Sequence, residues 1–239
     1  MKVALYTLSV GLVAAALGCG GKPAEAPTTD ATPTETAKPR TNGNAPSMHQ
    51  ELGSVDKAKV QMAFDGTADA MMNCFKNGSK RVETLAGDVK FFVRIAHDGS
   101  TKYAFIEGGD LGDRLMEKCM LGHLSGVHWP SPEEGDEAEA RFSTGFDVHD
   151  ARPAGPWAAD KVPGTVTGSK AVAACTAGAH GFSVTVYVAP DGKKGRIQAA
   201  GVAVTSKEAA EKADCLAGAF VGAETPSPGG WVAKTTLSL

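Results

Sequence analysis

Hydrophobic positions along this chain follow two rhythms, and both rhythms occur twice. Val60, Phe64, Ala68, Met71, Met72 and Phe75 recur at a helical period of about 3.6 residues, with Ser54 or Asp56 ahead of them as N-cap. A shorter helix-like stretch spans 170–175, and each stretch holds a cysteine, Cys74 or Cys175. An alternating apolar run closed by Asp-Gly follows each one: 89–97 before Asp98-Gly99, and 182–190 before Asp191-Gly192. Asp-Gly between such runs predicts a hairpin, with return strands at about 101–107 and 196–204. Second helices follow at 113–124 and 207–220. In the latter, Ser206 is the N-cap, Glu208 lies in the first turn, and Ala209, Ala213, Leu216, Ala217 and Phe220 keep helical spacing. A last strand closes each half, at 140–148 and 231–239. In the final strand Trp231, Ala233, Thr235, Leu237 and Leu239 share one face, opposite Lys234, Thr236 and Ser238.

The predicted class is α+β: two tandem α-β-β-α-β units, each a three-stranded antiparallel sheet with helices packed on it. The first covers 49–150 and the second, more divergent one 156–239, with the divide near Arg152-Pro153-Ala154-Gly155-Pro156. One domain with all six strands in a single sheet is the alternative.

The N-terminus has a different character. Lys2 precedes a mostly apolar, uncharged stretch that ends in small residues, which predicts a signal peptide over 1–18. Ala16-Leu17-Gly18-Cys19 resembles the lipobox of bacterial lipoproteins, although the usual leucine position holds Ala16. The resemblance implies lipidation of Cys19 and a stable acyl anchor. Gly20 in the next position implies sorting to the outer membrane. Residues 19–48 are rich in Pro, Thr and Ala and poor in large apolar side chains, so they predict a disordered tether. Such a tether spans roughly 30 Å as a coil and roughly 90 Å when extended.

Composition narrows the function. Of 239 residues 42% are hydrophobic and 21% charged, which excludes a mostly disordered chain. The 24 Lys+Arg against 27 Asp+Glu give a net charge of −3, which argues against a dedicated nucleic-acid binder. Aromatics at 6% predict a small core of Val, Ala, Leu and Met.

The chain has five cysteines. Lipidation of Cys19 leaves Cys74, Cys119, Cys175 and Cys215, two in each half. The symmetry of the halves selects disulfides Cys74–Cys119 and Cys175–Cys215, with buried free thiols as the alternative. No C-x-x-C occurs and no histidine shows ligand spacing to two cysteines, so no metal site is predicted.

Further residues in the first half resemble a known family. Cys74-Phe75, Val89-Lys90-Phe91-Phe92-Val93, Asp98-Gly99, Leu111-Gly112-Asp113, Glu117-Lys118-Cys119 and Trp129-Pro130-Ser131-Pro132 resemble the periplasmic C-terminal domain of TonB-type proteins, in the AgmX/PglI type found in gliding-motility proteins. The second half keeps Cys175, Asp191-Gly192, Cys215 and Pro226-Ser227-Pro228, with Thr225 in place of the tryptophan. The resemblance implies the α-β-β-α-β fold and an envelope protein-interaction role, linked to gliding motility or envelope transport. In TonB the last strand pairs with a transporter peptide. This chain departs from TonB in lacking a predicted transmembrane anchor.

Catalytic chemistry is not predicted. Gly108-Gly109-Asp110-Leu111-Gly112 lacks the Lys-Ser/Thr of a phosphate loop and predicts a tight turn into a helix. No Gly-x-Ser-x-Gly is present. The acidic run 133–139 lacks calcium-loop spacing and predicts a solvated loop. No enzyme activity and no cofactor are therefore expected. The expectation is a non-catalytic lipoprotein, probing envelope proteins by strand-edge or loop contact through Trp129, Trp231, Ala233, Thr235 and Leu237. The strands at 140–148 and 231–239 are its candidate edges. The alternative is a peptidoglycan- or polysaccharide-binding lipoprotein that stacks sugars on Trp129, Trp157 and Trp231, although the place of these rings beside Pro or Gly at element ends first predicts packing.

Overall fold

A computed structural model of the chain describes residues 53–147 and 152–239. The predicted signal peptide, Cys19 and the tether lie outside the described residues.

The leading helical pattern forms two helices, α1 (Lys57–Asp65) and α2 (Ala68–Ser79). Asp56 is the cap: its carboxylate accepts the N–H groups of Ala58 and Lys59 at 3.0 and 3.1 Å. The break falls at Gly66-Thr67, where the Thr67 hydroxyl donates to the Phe64 carbonyl at 2.7 Å. Val60, Phe64, Met71 and Phe75 still bury on one side, so the hydrophobic period runs straight across the break.

β1 (Gly87–Ala96) and β2 (Thr101–Gly109) form the hairpin, and β3 (Glu137–Phe146) pairs with the other side of β1. The order β2-β1-β3 puts β1 at the centre of a three-stranded antiparallel sheet. Val89, Phe91, Val93 and Ile95 alternate toward the helices and are fully buried. Gly99 holds the turn with φ of 80°, and a Cβ there would lie 2.2 Å from the Trp129 carbonyl oxygen. α3 (Arg114–Ser125) packs Met116, Met120 and Leu124 into the same core. Asp113 caps it by accepting Leu115 and Met116 N–H at 2.9 and 3.1 Å.

The second half begins with β4 (Gly155–Pro156) and a 3-10 turn (Ala159–Lys161). It continues with α4 (Gly164–Thr167), α5 (Lys170–Thr176), β5 (Phe182–Asp191) and β6 (Lys194–Val204). α6 (Lys207–Ala210), α7 (Ala213–Phe220), β7 (Glu224–Pro226) and β8 (Ala233–Ser238) complete it. The predicted helix 207–220 is thus two helices. They part at Glu211-Lys212, where Lys212 N–H bonds back to Ala209 in a tight i→i+3 turn.

The second sheet corrects the three-stranded expectation. It has five strands in the order β4-β8-β5-β6-β7, with β4 parallel to β8 and β7 antiparallel to β6. These two outer strands are two and three residues long and contain Pro156 and Pro226. They are too short to show alternation, and proline is confined to sheet margins. No ladder joins the two sheets, so the single six-stranded sheet is also excluded.

Two apolar cores result, and each borrows from the other half. Tyr187, Ala199 and Ala203 belong to the core under α1–α3. Phe92 and Phe105 belong to the core under α5 and α7. The outer faces of β5 and β6 therefore rest on the first half, and the described residues form one compact unit. No helix among the described residues is long and apolar enough to cross a membrane.

Candidate functional site

The helices bring the four cysteines into the two expected pairs. Cys74 on α2 bonds to Cys119 on α3 with a Cα separation of 5.8 Å. Cys175 on α5 bonds to Cys215 on α7 with a Cα separation of 5.5 Å. Each bridge ties the helix before a hairpin to a helix after it. His123, one turn beyond Cys119, brings a ring nitrogen close to the first bridge. That nitrogen and the sulfurs of Cys74 and Cys119 all lie within 4.8 Å of one another. The signal for this neighbour is the i,i+4 spacing of Cys119 and His123 on α3, which a search for C-x-x-C passes over.

Trp129 and Trp157 take the packing role expected of rings beside Pro or Gly at element ends, and not the role of partner or sugar contacts. Trp129 is 1% exposed, so it is a core residue and not a loop contact. Its indole N–H donates to Thr101 Oγ1 at 2.7 Å, and its ring stacks on Phe142 at 5.4 Å. Trp157 is buried in the second core. Trp231 is half-buried: its indole N–H donates to the Pro153 carbonyl at 3.0 Å, and the Arg152 guanidinium sits 5.3 Å over the ring. The three rings form no shared sugar-stacking platform. Ala233, Thr235 and Leu237 also turn inward, at 4, 7 and 6% exposure. Their side chains are unavailable to a partner, which leaves only the backbone edge of β8.

Hydrogen-bond register shows what each edge offers. Trp157 N–H donates to the Lys234 carbonyl and Leu239 N–H to the Phe182 carbonyl. Ala233, Thr235 and Leu237 therefore bond to β5, while Lys234, Thr236 and Ser238 face outward. β4 covers Ala233 and Lys234, so Thr236 and Ser238 remain.

β3 offers a longer edge. Gly53 N–H donates to the Glu137 carbonyl at 2.7 Å, so Glu137 turns its peptide groups away from β1. The β1–β3 ladder then runs to Phe146 without a register shift. Glu139, Arg141, Ser143 and Gly145 consequently direct N–H and C=O outward, and Ala138, Ala140, Phe142 and Thr144 bond to β1. Among the described residues no strand pairs with this side of β3.

Charged and aromatic groups flank that edge. Arg94 pairs with Glu139 at 2.8 Å, and Arg141 pairs with Glu107 at 2.9 Å and with Glu139 at 3.1 Å. The Arg141 guanidinium lies 4.8 Å over Phe92, which stacks on Phe105 at 4.7 Å. Between this face and α6 is a groove of about 330 Å³. The acidic run is only partly the solvated loop expected: Glu137 is buried, paired with Lys102 and Arg94 at the start of β3.

Two strongly shifted groups lie between the halves. Burial pushes the Glu117 carboxyl up to about 7, against the opposing pull of Arg114. Glu117 accepts Val202 N–H on β6 at 3.1 Å and pairs with Arg114 at 3.3 Å. Burial likewise pushes the Tyr187 phenol far above its ordinary value. The glycine-rich stretch makes the interlock fit. Gly112 has φ of 77°, and a Cβ there would meet Thr185 Cγ2 at 2.8 Å.

No protein family, curated protein or solved structure matches this chain.

Proposed function

We propose that this chain is a lipid-anchored, non-catalytic interaction module of the cell envelope. In this reading Cys19 holds it to the outer membrane on the periplasmic side. β3 accepts an extended segment of another envelope protein. The observation that carries the reading is the outward row of peptide groups at Glu139, Arg141, Ser143 and Gly145. An incoming strand satisfies those groups directly, and the Arg94, Glu139 and Arg141 charges beside them select its side chains. The same charges discourage indiscriminate edge pairing. β8, with two outward residues, is the lesser edge. The non-catalytic reading is supported by the use made of Glu117 and Tyr187: both direct their polar atoms to backbone partners in the other half.

The two halves are read as diverged copies of one TonB C-terminal-like unit of the AgmX/PglI type. Three features support this. Each sheet is built around the first strand of its hairpin. Each half ties its two helix groups with one disulfide. Pro-Ser-Pro follows each second cysteine, at Pro130 and Pro226.

The test places a photo-crosslinking residue at Arg141 of the full chain in cells, with and without Ser143→Pro. Proline at 143 removes an outward donor and spares the β1 ladder. A polypeptide adduct that disappears with Ser143→Pro is expected. An adduct of equal yield in both chains would overturn the reading.

A further inference from the structure

We infer that reduction of the Cys74–Cys119 disulfide opens a binding site for a thiophilic divalent metal ion, with His123 as its third ligand. Cys119 and His123 stand at i and i+4 on one face of α3, and α2 presents Cys74 to the same face. The two sulfurs and a His123 ring nitrogen lie within 4.8 Å of one another. Tetrahedral coordination at about 2.3 Å to sulfur and about 2.0 Å to nitrogen needs ligand atoms roughly 3.5–3.8 Å apart. The His123 nitrogen is already within reach of both sulfurs, and the bonded sulfurs, on Cα atoms 5.8 Å apart, need only swing apart about their Cα–Cβ bonds once the bridge is reduced.

The environment suits entry and retention of an ion. Cys74 is buried, Cys119 is partly exposed and His123 is exposed, so an ion reaches the site from the His123 side. Three protein ligands leave a fourth position open to water. Cys175 and Cys215 provide the contrast: among the described residues no histidine or carboxylate joins them in such a group.

The chemistry balances as follows. The disulfide takes two electrons and two protons from a dithiol, which becomes a disulfide in turn. The two thiols then release two protons as the divalent ion binds both thiolates and the neutral imidazole. While the sulfur–sulfur bond stands, neither sulfur has a thiolate charge to offer, so oxidation closes the site.

The experiment titrates Co²⁺ into the full chain carrying Cys19→Ser, which removes the fifth thiol, before and after reduction with a phosphine. Expected are no cobalt signal in the oxidised chain and, after reduction, one Co²⁺ per chain. The bound ion should show tetrahedral ligand-field bands and a thiolate charge-transfer band. Cys74→Ser should abolish the charge-transfer signal and Cys175→Ser should leave it in place. His123→Ala should weaken binding at least about tenfold. Unchanged affinity in His123→Ala, or a signal that follows Cys175 instead of Cys74, would overturn the inference. Loss of helical circular dichroism on reduction would also overturn it, because the site needs α2 and α3 side by side.

Discussion

The Tyr187 hydroxyl donates to the Ala86 carbonyl at 2.7 Å and accepts the Ala86 N–H at 3.1 Å, so one side chain from the second half satisfies both peptide groups of a first-half residue. Lys234 donates to the same carbonyl at 2.8 Å and pairs with Asp110 at 2.7 Å. Tyr187 has no exposure to solvent. Tyr187→Phe keeps the ring and leaves the Ala86 N–H without that partner. The expected cost is about 1–3 kcal/mol, seen as a lower urea midpoint at unchanged slope. An unchanged midpoint would show that the contact contributes nothing between the halves.

Glu117 gives a pH signature. Its carboxyl titrates at about 7 in the folded chain against an ordinary 4.5, because burial disfavours the charge. Between those values the folded state holds a proton that the unfolded state has released. Stability therefore falls as pH rises through that window, by up to about 3 kcal/mol, and levels off above it. Glu117→Gln keeps an acceptor for Val202 N–H and should remove this slope. Urea midpoints at pH 5 and pH 8 for both chains check it; parallel slopes would contradict the assignment.

Trp129 and Trp231 should respond unequally to truncation. Trp129→Ala opens a void beside Phe142 and should cost about 3–5 kcal/mol. Trp231→Ala removes a half-buried ring and should cost less than about 2 kcal/mol. Equal losses would contradict the core placement of Trp129.

The bridges close stretches of 45 and 40 residues. In the chain-entropy model, replacing either pair by alanine costs about 4 kcal/mol. Thermal melts of the two double variants measure this, and a loss below about 1 kcal/mol for either would mean that its bridge does not restrain the unfolded chain.

The hairpins were legible because Val89–Ile95 and Val184–Val188 alternate or run apolar up to an Asp-Gly turn, and one buried face enforces that pattern. The cysteine pairing was legible from the like order of cysteine, Asp-Gly and cysteine in each part of the sequence. The helix breaks at Gly66-Thr67 and Glu211-Lys212 were not legible, since the apolar period continues through both. β4 and β7 are too short to carry a period. Trp129, beside Pro130, was open to packing or to partner contact, and packing is decided by its burial and by the N–H bond to Thr101, which the sequence pattern does not carry. The open side of β3 depends on which peptide groups face β1, a matter of register that side-chain pattern cannot express. The Cys74–His123 proximity depends on how α2 packs against α3, although the Cys119–His123 spacing was present in the chain.

Residue-by-residue amide hydrogen exchange on the full, isotopically labelled chain tests the open edge most directly. Ala138, Ala140, Phe142 and Thr144 should exchange slowly, and Glu139, Arg141, Ser143 and Gly145 should exchange much faster, in strict alternation along β3. Uniformly slow exchange across all eight amides would mean that this side of β3 is already occupied, and would contradict its role as the acceptor for a partner strand.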